Sequence, residues 1–176
     1  KGMEFNNNYV QGSVDINYVY KDTYAYGLWA HDNILDHAVP NYTHAESGFI
    51  FEFKAENIIV ENNVINNVGV GVSYNTRYPA NTGGYNYNCG TGGCSAILNN
   101  VIRNNVFSNI YSMGGASGGI VVQTENGTNN PYMDNFQIYN NTLVARSGQP
   151  APVGIDFTQQ NNGGVAKNIF IRNNIF

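Results

Sequence analysis

Asn57-Ile-Ile-Val-Glu-Asn-Asn-Val-Ile65 recurs along the chain. Its copies are Asn99-Asn-Val-Ile-Arg-Asn-Asn-Val-Phe107, Asn135-Phe-Gln-Ile-Tyr-Asn-Asn-Thr-Leu143 and Asn168-Ile-Phe-Ile-Arg-Asn-Asn-Ile-Phe176. A degenerate copy, Leu28-Trp-Ala-His-Asp-Asn-Ile-Leu35, precedes them, and Asn7-Asn8-Tyr9-Val10 reads as another corner. The second asparagines of the pairs (Asn33, Asn63, Asn105, Asn141, Asn174) stand roughly 30, 42, 36 and 33 residues apart, within the range of stacked repeats. Uneven spacing places insertions in loops and leaves the strands constant.

Each unit carries a second signature, a glycine followed by alternating apolar residues. These are Gly48-Phe-Ile-Phe-Glu-Phe53, Gly71-Val-Ser-Tyr-Asn75, Gly119-Ile-Val-Val-Gln-Thr124 and Gly154-Ile-Asp-Phe-Thr158. A period of two buries one face of a strand and exposes the other. One unit therefore predicts three strands: Asn-Ile-x-Val, a tight Asn-Asn corner, a short Val-Ile strand, a variable loop, then the glycine-led strand. Asparagine suits the corner because it tolerates left-handed backbone and bonds nearby backbone groups. Strands stack about 4.8 Å apart, so identical amides form a ladder. Asn63, Asn105, Asn141 and Asn174 form one such column, and Asn57, Asn99, Asn135 and Asn168 a second. Val60, Ile102, Ile138 and Ile171 stack inside, as do Ile65, Phe107, Leu143 and Phe176. Each buried aliphatic or aromatic side chain contributes about 1.5–3 kcal/mol, so each unit depends on its neighbours for cover.

Composition agrees. Of 176 residues only 11% are charged, while thirteen tyrosines and many asparagines supply polarity. Strong helix formers are scarce, and β-branched and aromatic residues dominate the apolar set. The expectation is an all-β, single-stranded parallel β-helix of about five to six coils, one domain over residues 1–176 with an insertion at 75–95. A net charge of −4 argues against nucleic acid, whose binding rests on Lys and Arg neutralising phosphates. No apolar run is long enough for a membrane span. Cys89-Gly-Thr-Gly-Gly-Cys94 can bend back on itself to close a small disulfide loop, which implies an oxidising, extracellular setting; two free thiols are the alternative.

The Asn-Asn corners and the three-strand coil resemble the pectate-lyase-like superfamily of right-handed parallel β-helices, over nearly the whole chain. That resemblance implies the fold more than the function, because the superfamily includes lyases, hydrolases, epimerases, tailspikes and adhesins. The Asn-x-Asp, Asp-Asp and Gly-His-Gly motifs of polygalacturonases are absent. The resemblance also implies a substrate lying along the glycine-led sheet, walled by loops. With Phe49, Phe51, Val72, Tyr74, Ile120, Val122, Ile155 and Phe157 inward, Glu52, Asn75, Gln123 and Thr158 line up outside. Asp15 and Asn17 would extend that face. Such a row suits sugar hydroxyls, or carboxylates bridged by a cation; a merely solvated polar face is the plain alternative.

The histidines all fall within residues 31–44, beside Asp32, Asp36, Glu46 and Glu52. A lyase needs a base to remove the proton beside a carboxylate and a cation to stabilise the resulting enolate. Lys54 or His44 is the candidate base and Arg77 the candidate cation. Glu46 and Glu52 are candidate Ca²⁺ ligands, since Ca²⁺ takes oxygen donors. Glu52 and Asp156 lie about three strands, roughly 14 Å, apart, too far for paired-carboxylate hydrolysis. His31 matches the position of Glu61, Arg103, Tyr139 and Arg172, where a Glu61–Arg103 pair is an ordinary surface ladder worth about 0–1 kcal/mol. The insertion carries Tyr78, Tyr85 and Tyr87, side chains that stack on sugars. Asn41-Tyr-Thr43, Asn126-Gly-Thr128 and Asn140-Asn-Thr142 match glycosylation sequons, as chance provides in an Asn-rich chain. The sequence ends, at Ile171-Arg-Asn-Asn-Ile-Phe176, midway through a unit. Uncapped ends suggest either a segment of a longer solenoid or copies stacking end to end. The expectation is thus an extracellular domain acting on acidic polysaccharide, with a non-catalytic fibre or adhesin as the alternative.

Overall fold

The computed structural model describes residues 2–12, 18–37, 47–76, 96–111, 118–124, 132–148, 152–159 and 165–176. At 18–24, 53, 76, 123–124, 132, 158–159 and 165 it describes the backbone alone. The described residues are all-β, with no helix, and every strand pairing is parallel. Numbered in chain order, the strands fall into three sets. The Asn-Ile-x-Val segments give β1 (Met3–Asn6), β4 (Leu28–His31), β7 (Ile59–Glu61), β10 (Ala96–Arg103), β13 (Tyr132–Tyr139) and β16 (Val165–Arg172). After the Asn-Asn corners come β2 (Tyr9–Gly12), β5 (Ile34–His37), β8 (Val64–Asn66), β11 (Val106–Ile110) and β14 (Thr142–Ala145). The glycine-led set is β6 (Ser47–Glu56), β9 (Val70–Thr76), β12 (Gly118–Thr124) and β15 (Val153–Gln159), with β3 (Tyr18–Tyr26) pairing β6.

Strands pair one repeat apart. The second set forms a five-stranded sheet, whereas the first and third share an eleven-stranded one. The sharing departs from three separate strands per unit, and its cause is the length of β6. That strand runs past Glu52 to Ala55 and Glu56, which pair with Ile97 and Leu98 at the start of β10.

The Asn-Asn corner divides its work between two neighbours. The first residue takes left-handed backbone: φ is 53° at Asn7, 54° at Asp32, 55° at Asn62 and Asn104, 56° at Asn140 and 53° at Asn173. The second forms the ladder. Asn8 donates through Nδ2 to Asn33 Oδ1 (3.0 Å), Asn33 to Asn63 (2.9 Å), Asn63 to Asn105, Asn105 to Asn141 and Asn141 to Asn174 (each 3.0 Å). Each Oδ1 also accepts from the backbone N–H of the donating asparagine. Each Nδ2 from Asn33 onward also donates to a carbonyl of the preceding repeat: Phe5, Ala30, Val60, Ile102 and Ile138 in turn. A buried amide thereby uses both donors and its acceptor, the condition for burying it at all.

The second column holds from Asn57 to Asn99 to Asn135 (3.3 and 3.1 Å), all with positive φ. It then diverges, because Asn168 donates to Asp134 (2.8 Å). A third left-handed position, Asn67 and Asn109, closes the second strand set five residues further on.

The interior is a set of columns. Val60, Ile102 and Ile138 stand in register and are fully buried, with Ile171 continuing the row half-exposed. Leu35, Ile65, Phe107 and Leu143 form the second column. Those side chains explain the glycines. A Cβ on Gly71 would run into the Phe107 ring and come within 2.5 Å of the Gly119 carbonyl oxygen; one on Gly48 would strike Ile65, and one on Gly119 Leu143. The glycine-led strand starts where the second column presses on its backbone. Beyond it Phe51, Tyr74 and Phe136 pack ring to ring at 5.2 Å centroid spacing.

Candidate functional site

The outer row of the glycine-led strands is aligned by backbone pairing: Glu52 opposite Asn75, Asn75 opposite Gln123, Gln123 opposite Thr158. Two residues earlier on the same strands stand Ile50, Ser73, Val121 and Asp156, also mutually paired. The alternation that predicts this row follows from the inward partners, of which Phe49, Phe51, Val72, Tyr74, Ile120 and Val122 are buried. Along the row, Glu52 is 9% exposed and Asn75 7%, so this part of the face is covered rather than open. Tyr74 lies just beneath, fully buried, and burial pushes its phenol pKa upward.

Lys54 follows Glu52 on β6, past a register shift between Asp22 and Tyr24 of the neighbouring β3. Its ammonium pairs with Glu56 at 3.1 Å, and its side chain is largely covered. Glu56 stands opposite Leu98, Leu98 opposite Asp134 and Asp134 opposite Lys167, where a second pair forms at 3.2 Å. Glu52 and Asp156 sit three strands apart in the order β6-β9-β12-β15, the separation that excludes them as a hydrolytic pair.

His44, Arg77, Glu46, Asn17, Asp15, Tyr78, Tyr85, Tyr87, Cys89 and Cys94 lie outside the described residues. Among the described residues no three His, Cys, Asp or Glu side chains are grouped to hold a metal ion. Of the three histidines, His31 and His37 are described, and they stand on different strands. His31 belongs to the outer face of β4, His37 is buried at the end of β5, and Asp36 accepts from Asn66 (3.1 Å) and Asn67 (2.8 Å) at a corner. Nearness in sequence gives way here because each strand turns successive residues to opposite faces.

A more tightly connected assembly lies on the first strand set. The row His31, Glu61, Arg103, Tyr139, Arg172 is in register across β4, β7, β10, β13 and β16. Arg103 Nε bonds Glu61 Oε2, and Trp29 Nε1 donates to Glu61 Oε1 at 2.7 Å. Burial pushes the Glu61 carboxyl pKa up, but the bonds from Arg103 and Trp29 outweigh it and hold the group below its ordinary value. His31 bonds Asp32 (2.6 Å) and Glu4 (3.0 Å) and stacks on Trp29 at 4.0 Å. The Asp32 bond, then the Glu4 bond, raise the imidazole pKa against an opposing effect of burial. Arg103 also donates to the Tyr139 hydroxyl at 2.9 Å. Equivalent repeat positions predict the Glu61–Arg103 pair; they do not predict Trp29, which reaches diagonally from its partner Ile59 to Glu61.

No helix among the described residues is long and apolar enough to cross a membrane. In comparisons with known proteins no family model matches the chain, and neither a curated protein nor a solved structure matches it.

Proposed function

We propose that the chain is a right-handed parallel β-helix of the pectate-lyase-like kind that works outside the cytoplasm on an acidic polysaccharide, as a lyase or related enzyme. The observation that carries the reading is the in-register row Glu52–Asn75–Gln123–Thr158 on one sheet. Four polar positions recur at strand spacing, about every 4.8 Å, a period suited to a polymer lying across the strands, with Glu52 and Asn75 at the covered end of the row. In this reading Lys54, held against Glu56, presents a cation beside Glu52 and meets a substrate carboxylate. Proton abstraction falls to His44, with Arg77 stabilising the enolate. Glu46 and Glu52 supply oxygen ligands should Ca²⁺ bridge enzyme and substrate. Tyr78, Tyr85 and Tyr87 stack on sugar rings, and the Cys89–Cys94 disulfide steadies their loop.

The test is incubation with a panel of uronic-acid polymers, following the absorbance of unsaturated products. One polymer is expected to yield product, and Lys54→Ala to abolish turnover at least a hundredfold with an unchanged circular dichroism spectrum. A panel without product would overturn the enzyme in favour of a non-catalytic structural or adhesive module.

A further inference from the structure

Each corner between the first and second strand sets is built from three residues. The first is exposed with left-handed backbone, and the second belongs to the buried amide ladder. The third is Tyr9, Ile34, Val64, Val106 or Ile175, apolar or aromatic at every described corner but one. There Thr142 stands in register with Val106. That single hydroxyl turns the corner Asn140-Asn141-Thr142 into Asn-x-Thr, the acceptor sequence for N-linked glycan. We propose that Asn140 is a glycosylation site and carries an N-linked oligosaccharide.

A three-residue motif arises by chance in a chain this rich in asparagine, so its register against the corner carries the proposal. The acceptor is the first member of the pair, whereas the ladder runs through the second: Asn141 joins Asn105 to Asn174. One residue further on, the acceptor would be Asn141, 2% exposed, whose amide donates to Asn174 and to the Ile102 carbonyl. A sugar there would dismantle the ladder. Asn140 instead is exposed at φ 56°, and its part in the fold is played by its backbone, whose N–H donates to the Arg172 carbonyl at 3.3 Å. A bulky, hydrated glycan needs such a place. Asn104 and Asn173 on either side are exposed too, as are Asp32 and Asn62 beyond, so the exposure belongs to the corner itself. Thr142 is half-buried beside it, with its N–H bonded to the Asn105 carbonyl at 2.9 Å. Main chain at both ends of the motif is therefore fixed whatever the Asn140 amide carries.

The co-reactant is an oligosaccharide linked through pyrophosphate to a lipid. Asn140 Nδ2 bonds to its anomeric carbon, and the bond from that carbon to the pyrophosphate oxygen breaks. The lipid pyrophosphate leaves with the electron pair, and Nδ2 releases one proton to the transferase. The Thr142 hydroxyl is the group that the transferase reads two residues on. The site rests on the extracellular part of the proposed function, since such a transfer meets chains on their way out of the cytoplasm. It uses no residue of the Glu52 row.

The full chain is produced in cultured insect cells behind a cleavable secretion signal. Protein from cells and medium together is treated with a peptide N-glycosidase in heavy-oxygen water and mapped by peptide mass spectrometry. Asn140 is expected to be modified in most molecules. Thr142→Val, which restores the residue type of Val64 and Val106, should remove that glycan and leave the circular dichroism spectrum unchanged. The glycosylated parent should unfold at a thermal midpoint no lower than that of Thr142→Val. A bare Asn140 in the parent overturns the proposal and leaves Thr142 as one more β-branched strand residue. Modification that persists in Thr142→Val overturns it as well, and so does a lower midpoint in the glycosylated parent, which would put the amide inside the fold. The two readings fail separately: a chain glycosylated at Asn140 that cleaves no uronic polymer loses only the enzyme, and one that cleaves with Asn140 bare loses only the glycan site.

Discussion

Asn62 and Asn63 are the same residue type side by side, and the structure gives them different physical tasks. Asn62 is at the corner for its backbone, at φ 55°, and its neighbour is there for its buried amide. Substitutions should separate the two. Asn62→Gly is expected to change stability by less than about 1 kcal/mol, since glycine adopts left-handed backbone freely. Asn105→Ala, in the middle of the ladder, strands the donors of Asn63 and the Val60 carbonyl in a buried place. It should cost roughly 3 kcal/mol or more in urea unfolding, because each orphaned buried group carries a penalty of about 1–3 kcal/mol. Equal effects from the two changes would remove this division of labour. The corner asparagines were legible from the chain because they recur as pairs, and the second members, Asn63, Asn105, Asn141 and Asn174, were readable as the ladder; that the first members carry the left-handed backbone was not, since both tasks select the same side chain.

At the level of strands, glycine and the second core column are one design seen from two sides. Gly71→Ala would push a methyl into Phe107 and toward the Gly119 carbonyl, and overpacking of this kind costs about 2 kcal/mol. Adding Phe107→Leu should recover part of that loss, because the two sites share one space; strictly additive losses in chemical denaturation would show that they do not. The glycine-led alternation also made the row Glu52–Asn75–Gln123–Thr158 readable, since a period of two assigns faces once the inward residues are known. Its cover was not readable. Exposure of Glu52 and Asn75 depends on what lies above a strand, and pairing pattern is silent on that.

Across the molecule, one charged row ties β1 through β16, and its titration has a definite sign. Glu61 and Glu4 have folded pKa values below the ordinary 4.5. Their contribution to stability is therefore present above pH 4.5 and lost as the pH falls through those lowered values. For His31 the folded value is raised above 6.5, so its contribution is complete below pH 6.5 and disappears as the pH climbs through the raised value. Thermal midpoints should stay level between these limits and decline on both sides. Glu61→Gln should flatten the acid arm, and His31→Gln should flatten the decline just above pH 6.5. If both variants track the parent at every pH, the row contributes nothing to folding.

The amino-acid sequence by itself determined the parallel stacking, the repeat register, the amide ladder and the two interior columns. These depend on residues that recur at one position per unit, and recurrence is visible in a single chain. Tertiary structure alone decided what crosses between rows: the diagonal reach of Trp29 to Glu61, the Lys54–Glu56 pairing, the separate settings of His31 and His37 and the cover over Glu52. Such contacts depend on side-chain direction and on what packs above a face. Neither quantity is periodic, so no repeat in the sequence could announce it.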